Sequence, residues 1–125
     1  ELWTRTEVFL CTLDWYKWTD DSIFEAAGDH AGEMETSLMQ YLAPDLVKPL
    51  DEAGDGAEKK FRIAALAEGR AWTQRDWTQA TADTGVGDPA PSTKEKGKLC
   101  FDHVSAEIAD FFVELAAADV DDLYE

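Results

Sequence analysis

Two apolar patterns with different periods organise the chain. Residues 8–13, Val-Phe-Leu-Cys-Thr-Leu, are apolar at nearly every position, which is typical of a central strand that helices cover on both faces. In residues 101–115, apolar side chains recur at helical spacing, and this pattern predicts a helix that ends at about Ala118. Ser92 and Glu95 precede it at the spacing of a capping box. Together the two patterns favour an α/β fold with a mainly parallel sheet.

Another helix is predicted to begin near Asp29, whose carboxylate can accept the free backbone N–H groups of a first turn. Its apolar stripe comprises Ala31, Met34, Leu38, Tyr41 and Leu42, and its opposite side carries Glu33, Ser37 and Gln40. Glu35 falls inside the stripe. A carboxylate on a buried face is costly unless it is paired, hydrogen-bonded or bound to a cation, so Glu35 is a candidate functional residue.

His30, one of the two histidines in the chain, is the second candidate. Five positions along a helix correspond to about 140° of rotation, so His30 and Glu35 can face one point only if His30 lies in a non-helical turn before the helix. We therefore place it there. Structural roles are the alternative for both residues, because a histidine at a helix start can serve only as a hydrogen-bonding group and a carboxylate in a stripe can pair with an arginine.

The segments between the two predicted helices are less regular. Pro44 ends the first helix. Residues 61–67 fit a helix or a strand, and Gly69, Trp72 and Trp77 after them slightly favour two short irregular strands. The glycines of residues 85–89 predict either a loop that a ligand can approach closely or a tight turn into the next helix. No repeat and no long linker divides the chain. We therefore expect residues 1–125 to belong to one domain.

The composition excludes several classes of function. With 27 acidic and 11 basic residues, the formal net charge is −16, which repels nucleic-acid phosphates. We interpret this charge as a solvated acidic surface, such as a salt-adapted protein carries. No run approaches the roughly 18 apolar residues of a membrane span. We therefore expect neither nucleic acid nor a membrane as a partner.

The two cysteines lie in the apolar run (Cys11) and in the long helix (Cys100). Their spacing fits neither a zinc motif nor a disulfide framework. We expect both to be buried free thiols, which favours a reducing, cytoplasmic location.

Residues 28–37, Gly-Asp-His-Ala-Gly-Glu-Met-Glu-Thr-Ser, resemble the His-Ala-Gly-x-x-Glu-Thr-Ser signature of the creatininase (creatinine amidohydrolase) family. Two further segments agree with the family and stand in the family's order along the chain. The first is Asp14-Trp15 at the end of the predicted strand, and the second is residues 85–89 together with Thr-Lys-Glu-Lys-Gly at 93–97. Members of this family are longer and carry most of their metal ligands in an N-terminal half. The resemblance therefore implies that residues 1–125 are the C-terminal half of a creatininase-like domain.

The resemblance implies a three-layer α/β/α fold and a site with two divalent ions (Zn, Mn or Fe) that hydrolyses an amide C–N bond. By their places in the signature, His30 would transfer protons to the cleaved amide, and Glu35 would bind a metal ion or orient its water. Trp15, Asp29 and Gly32 would contact a small-molecule amide substrate. The resemblance also implies a homo-hexamer and a missing N-terminal half, or a partner chain, with an Asn-Gly-His motif.

The segment before His30 departs from creatininases, because Ala26 and Ala27 stand where creatininases have a Trp-Asp pair. The resulting wall is smaller and less polar than the one that binds creatinine. One alternative is a formamide deformylase of a pyrimidine nucleotide precursor, which needs a basic phosphate site that Arg62, Arg70 and Arg75 supply poorly. A non-catalytic subunit or assembly module is another alternative, and its metal content would separate it from an enzyme.

Overall fold

The computed structural model describes residues 8–124, which form two units that we describe separately: Asp21–Phe101, and residues 8–20 together with 102–124. The helices are α1 (Glu33–Leu42), α2 (Ala64–Ala67), α3 (Trp77–Ala80) and α4 (Lys94–Ala117), and the strands are β1 (Gly28–His30) and β2 (Val86–Gly87). Short 3-10 helices cover Trp15–Trp18, Asp21–Ile23, Pro44–Leu46 and Leu50–Glu52. Within this part of the chain, no helix combines the length and the apolar character needed to cross a membrane.

The sheet differs from the one that the sequence predicts. β1 and β2 pair antiparallel, and residues 8–124 contain no parallel pair of strands. Residues 8–13 are largely exposed and form no strand, so the predicted central strand is wrong for the described chain. An apolar run indicates that a segment favours burial, but a strand also requires a neighbouring strand for its backbone hydrogen bonds.

The two cysteines have different environments. Cys100 on α4 is fully buried and free, as predicted, and burial raises the pKa of its thiol. Cys11 is exposed, so the prediction that it is buried is wrong. That prediction depended on a covered strand over residues 8–13, which the structure does not contain.

The long helix α4 ends at Ala117, one residue before the predicted end. Its first turn is capped by Thr93, whose Oγ1 accepts the backbone N–H of Lys96 at 3.1 Å. The predicted capping box at Ser92 is wrong, because Oγ of Ser92 instead accepts a hydrogen bond from Nε2 of Gln40 at 2.9 Å. Sequence spacing alone does not distinguish two adjacent hydroxyl residues as caps.

The helix α1 begins later than predicted. It starts at Glu33, and Asp29 lies in β1, with Ala31 in the left-handed region (φ 51°) between the two elements. Asp29 therefore does not cap α1, since a cap residue stands directly before the first helical residue. The short helix α2 occupies part of the segment 61–67, where the sequence analysis favoured two strands over a helix, and its Ala-Ala-Leu-Ala sequence has high helix propensity.

The packed face of α1 is its polar one. Glu33 and Ser37 are only 1% and 0% exposed, whereas Leu42 of the predicted apolar stripe is 54% exposed. This face meets the start of α4, where Oγ of Ser37 accepts the backbone N–H of Thr93 at 3.2 Å. Helical periodicity identifies residues that share a face, but it does not determine which face packs.

Gly97 allows α4 to approach α1 closely. A Cβ atom at Gly97 would lie 1.9 Å from the backbone oxygen of Ser37. We expect Gly97→Ala to destabilise the chain by about 1–3 kcal/mol, because overpacking against backbone outweighs the helix propensity that Ala gains over Gly. Urea unfolding measures the change, with Ala106→Gly at an exposed position of α4 as the control for propensity alone. A Gly97→Ala variant more stable than the wild type would contradict this close contact.

Candidate active site

The signature segment folds as a strand, a left-handed turn and a helix start. β1 ends at His30, which is paired with Val86 of β2, and Ala31 then takes a φ of 51° before α1 begins. A non-glycine residue in this region costs about 1–2 kcal/mol, and such strained residues cluster at functional sites. His30 therefore lies outside the helix, where the sequence analysis places it.

This turn brings His30 and Glu35 together. Nδ1 of His30 lies 3.5 Å from Oε2 of Glu35, and the same oxygen accepts the backbone N–H of Ala31 at 2.6 Å. The Ala31 hydrogen bond holds the carboxylate beside the imidazole. The side chains are 47% and 36% exposed, so both are accessible to a ligand. The expectation that Glu35 is buried in an apolar stripe is wrong, and the catalytic roles of the two residues stay predictions.

Other signature residues stabilise the turn. Oγ1 of Thr36 donates to the carbonyl oxygen of Ala31 at 3.2 Å. The backbone N–H of Thr36 donates to the carbonyl oxygen of Gly32 at 3.0 Å. Gly32 is buried, and a Cβ atom there would lie 3.3 Å from the Cα of Gly28. Close backbone packing thus gives Gly32 a structural role, and its contact with substrate stays a prediction.

Trp77 and Arg75 border the strand that carries His30. The rings of Trp77 and His30 have centroids 5.1 Å apart, and Cζ of Arg75 lies 4.5 Å from the centroid of the Trp77 ring, within cation–π range. Arg75 also pairs with Oδ2 of Asp29 at 2.5 Å and with Oε1 of Glu58 at 2.9 Å. Asp29 is therefore held by an arginine, and its contact with substrate stays a prediction.

The sequence analysis does not identify Trp77 as a neighbour of His30. The short helix α3 fixes its position, because Asp76 caps this helix by accepting the backbone N–H of Thr78. Hydrogen bonds from Thr78 and Gln79 hold the pKa of Asp76 below its usual range, so the cap is ionised at neutral pH. The long sequence separation between α3 and β1 leaves no local pattern that reveals this contact.

The buried carboxylate of α1 is Glu33. Its Oε2 accepts the backbone N–H groups of Glu25 and Ala26, each at 2.7 Å, and its Oε1 pairs with Nζ of Lys96. Lys96 also bonds Oε1 of Glu25 at 2.7 Å and the carbonyl oxygen of Pro91 at 3.0 Å. These contacts join the segment before β1 to the starts of α1 and α4.

Both members of this buried pair are charged at neutral pH. Burial raises the pKa of Glu33, but hydrogen bonds from Lys96 and from the N–H groups of Ala26 and Glu25 outweigh it and hold the pKa below its usual range. Hydrogen bonds to Glu25 and Glu33 raise the pKa of Lys96. The sequence analysis placed Glu33 on the side of the helix opposite the apolar stripe and missed this pair, whose partners come from distant segments.

Trp15 lies in the unit formed by residues 8–20 and 102–124. It belongs to a 3-10 helix, is 40% exposed, and contacts Tyr16 edge-on with ring centroids 6.2 Å apart. In the same unit, the ring of Trp18 packs against Phe111 of α4 at 5.6 Å. The contact of Trp15 with substrate stays a prediction.

Residues 8–124 contain no group of three or more His, Cys, Asp or Glu side chains arranged to hold a metal ion. His30 and Glu35 nevertheless present a ring nitrogen and a carboxylate, which are common ligands of divalent transition metals. A four-coordinate zinc site uses at least three protein ligands. The pair therefore fits as part of a metal site but does not complete one.

The model of the creatininase family, described as creatinine amidohydrolase, matches residues 2–112. This chain belongs to the creatininase family. A crystal structure from Bacteroides fragilis, named "Putative creatinine amidohydrolase", is 40% identical and superimposes with a TM-score of 0.83 over 99% of this chain and 48% of that one. The present chain thus spans about half the length of that solved relative. No curated protein matches it.

The superposition assigns the observed elements to part of a creatininase fold. The signature turn, α1 and the start of α4 belong to the matched region. The predicted three-layer α/β/α architecture with a mainly parallel sheet is not formed by residues 8–124, whose strands β1 and β2 are antiparallel. The creatininase assignment therefore rests on the family match and the superposition rather than on a parallel sheet.

Proposed function

We propose that this chain provides the His30–Glu35 part of the active site of a metal-dependent hydrolase that cleaves an amide C–N bond, as in creatinine amidohydrolases. The observation that carries the proposal is the 3.5 Å approach of Nδ1 of His30 to Oε2 of Glu35 at the strained turn of the family signature. Membership of the creatininase family supports this class of reaction. A cyclic amide is the substrate class that follows from the family.

Amide hydrolysis requires attack of water on the carbonyl carbon and delivery of a proton to the leaving nitrogen. With Nδ1 of His30 directed toward Glu35, Nε2 is the ring nitrogen that remains for the substrate. This atom accepts a proton from the attacking water and transfers it to the departing nitrogen. Glu35 holds the imidazole in the required orientation, as carboxylates do for other functional histidines.

Divalent ions such as Zn, Mn or Fe, when bound, supply the Lewis acid that polarises the amide carbonyl. Glu35 is the residue of this chain that would hold such an ion, and the family resemblance suggests two ions for each complete site. Because residues 8–124 contain no group of three such ligands, the others would come from an N-terminal half or a partner chain. A homo-hexamer is the assembly that we propose for the complete protein.

The variant His30→Asn tests the proposal in the complete, metal-loaded enzyme. Asn retains a polar group of similar reach but does not transfer protons, so we expect kcat to fall by about 100-fold or more with metal content unchanged. The control is His103→Asn, which removes the other histidine of the chain, on α4. Normal turnover by His30→Asn would contradict the proposal, and loss of metal would make His30 a ligand instead.

A specific observation also favours an amide substrate that carries an anionic group, as a formamide deformylase of a nucleotide precursor requires. Arg62 and Arg75, which the sequence analysis judged a poor phosphate site, line one groove together with two lysines.

The alternative of a non-catalytic module predicts that the complete protein binds no catalytic metal. Metal analysis of the complete protein separates that alternative from both hydrolases.

A further inference from the structure

The basic side chains of this acidic chain are unevenly distributed. Only 11 of its residues are Lys or Arg, against 27 that are Asp or Glu. Four of the basic residues line a single groove of about 920 Å³, and these are Lys59, Lys60, Arg62 and Arg75. The acidic residues that line it are Glu58 and Asp76, so the charge of the groove is opposite in sign to that of the whole chain.

The walls of the groove are joined by specific contacts. Residues 58–62 form one wall and residues 74–76 and 78–80 form the other, and Leu66 and Ala67 of α2 also line the space. The backbone N–H of Lys59 donates to the carbonyl oxygen of Ala80 at 2.8 Å, which links the two walls. The pair between Arg75 and Glu58, whose side chain is 11% exposed, links them a second time. The groove is therefore a fixed feature of the fold.

Two of the four cations have no carboxylate partner among the described residues. Glu58 pairs with both Lys60 and Arg75. Within residues 8–124, Lys59 and Arg62 make no ion pair, although acidic residues outnumber basic ones more than twofold in the chain. Arg70, Lys17 and Lys96, which lie outside the groove, do have such partners. Two unpaired cations beside a paired arginine favour binding of an anion.

We infer that this groove binds an anionic group, a phosphate or a carboxylate, of a small ligand. Arg62 offers planar N–H donors that match either group, and Lys59 adds a second positive charge. Arg75 connects the groove to the candidate active site, since it contacts Asp29 and stacks on Trp77, which lies beside His30. The assignment of this anion to the amide substrate rests on the proposed function, whereas anion binding itself does not.

The inference is tested by titrating the complete protein with inorganic phosphate and with acetate. Isothermal calorimetry or amide chemical shifts report the binding, so no measurement of enzymatic turnover is needed. We expect saturable phosphate binding that Arg62→Gln and Lys59→Gln each weaken by about tenfold, the loss typical of one charged hydrogen bond. Arg70→Gln is the matched control, because Arg70 pairs with Glu68 and does not line the groove. Tighter binding of phosphate than of acetate would identify a phosphate group, and the reverse would identify a carboxylate.

Two results would overturn the inference. One is the absence of saturable binding of either anion into the millimolar range. The other is an equal loss of affinity in Arg70→Gln, which would show that the attraction is general rather than local to the groove. In the complete enzyme, Arg62→Gln should raise KM for an amide that carries an anion more than for a neutral one. Failure of the hydrolase proposal would leave the phosphate titration unaffected, so the two failures are distinguishable.

Discussion

Glu35→Gln is expected to lower kcat of the complete enzyme by about 10²- to 10⁴-fold, with little change in the stability of the fold. Gln has the same size and can still accept the backbone N–H of Ala31, so the signature turn persists. It lacks the negative charge that faces Nδ1 of His30 and that would hold a metal ion. Because the Glu35 side chain is 36% exposed, the free energy of unfolding should change by less than about 1 kcal/mol.

Steady-state kinetics, metal analysis and urea unfolding of the same variant measure these effects together. Glu107→Gln makes the same chemical change at an exposed position of α4 and should leave turnover normal. A Glu35→Gln enzyme with normal turnover but a clearly lower urea midpoint would contradict the catalytic role. The carboxylate would then serve only to hold the N–H of Ala31.

The part of the candidate site that the sequence predicts is the part that local geometry determines. His30 and Glu35 lie five residues apart, and the rotation of a helix already requires His30 to lie outside it. The glycines of residues 85–89 likewise predict close backbone approach, and Gly87 has a φ of 118° and lies against Gly28. The end of α4 is also local, and its prediction is accurate to one residue.

What the sequence does not predict depends on contacts between distant segments. Periodicity groups Glu33 with Ser37 on one face of α1, but only the position of α4 makes that face the buried one. Residues 8–13 show the converse, since a strongly apolar run forms no strand among the described residues. Trp77 reaches His30 through the folding of α3, for which no local pattern exists.

The largest expected effect on stability is that of Glu33→Gln, about 3 kcal/mol, a substantial fraction of the 5–15 kcal/mol typical of a domain. The carboxylate is 1% exposed and accepts bonds from Glu25, Ala26 and Lys96. Gln has one acceptor oxygen, and its NH₂ group would face a donor, which leaves buried polar groups unpaired. Urea unfolding at neutral pH measures the loss, and Glu95→Gln at an exposed position of α4 is the control.

The pH dependence of stability gives an independent measure of the same carboxylate. The folded pKa of Glu33 lies below its ordinary value of 4.5, so the unfolded chain takes up this proton first as the pH falls. Its contribution is complete above about pH 4.5 and is lost as the pH falls through the folded value. The stability difference between the wild type and Glu33→Gln should therefore shrink in acid, and a constant difference would exclude an ionised Glu33.

A double-variant cycle separates the ion pair from the other contacts of Glu33. Lys96→Met alone leaves the Glu33 carboxylate buried without its cation, whereas Glu33→Gln combined with Lys96→Met removes both charges. The combined variant should lose less free energy of unfolding than the two single variants lose together. The reason is that an unpaired buried charge costs more than the absence of the whole pair. Strictly additive losses would show that Glu33 acts only through the backbone N–H groups of Glu25 and Ala26, which hold the segment leading into β1.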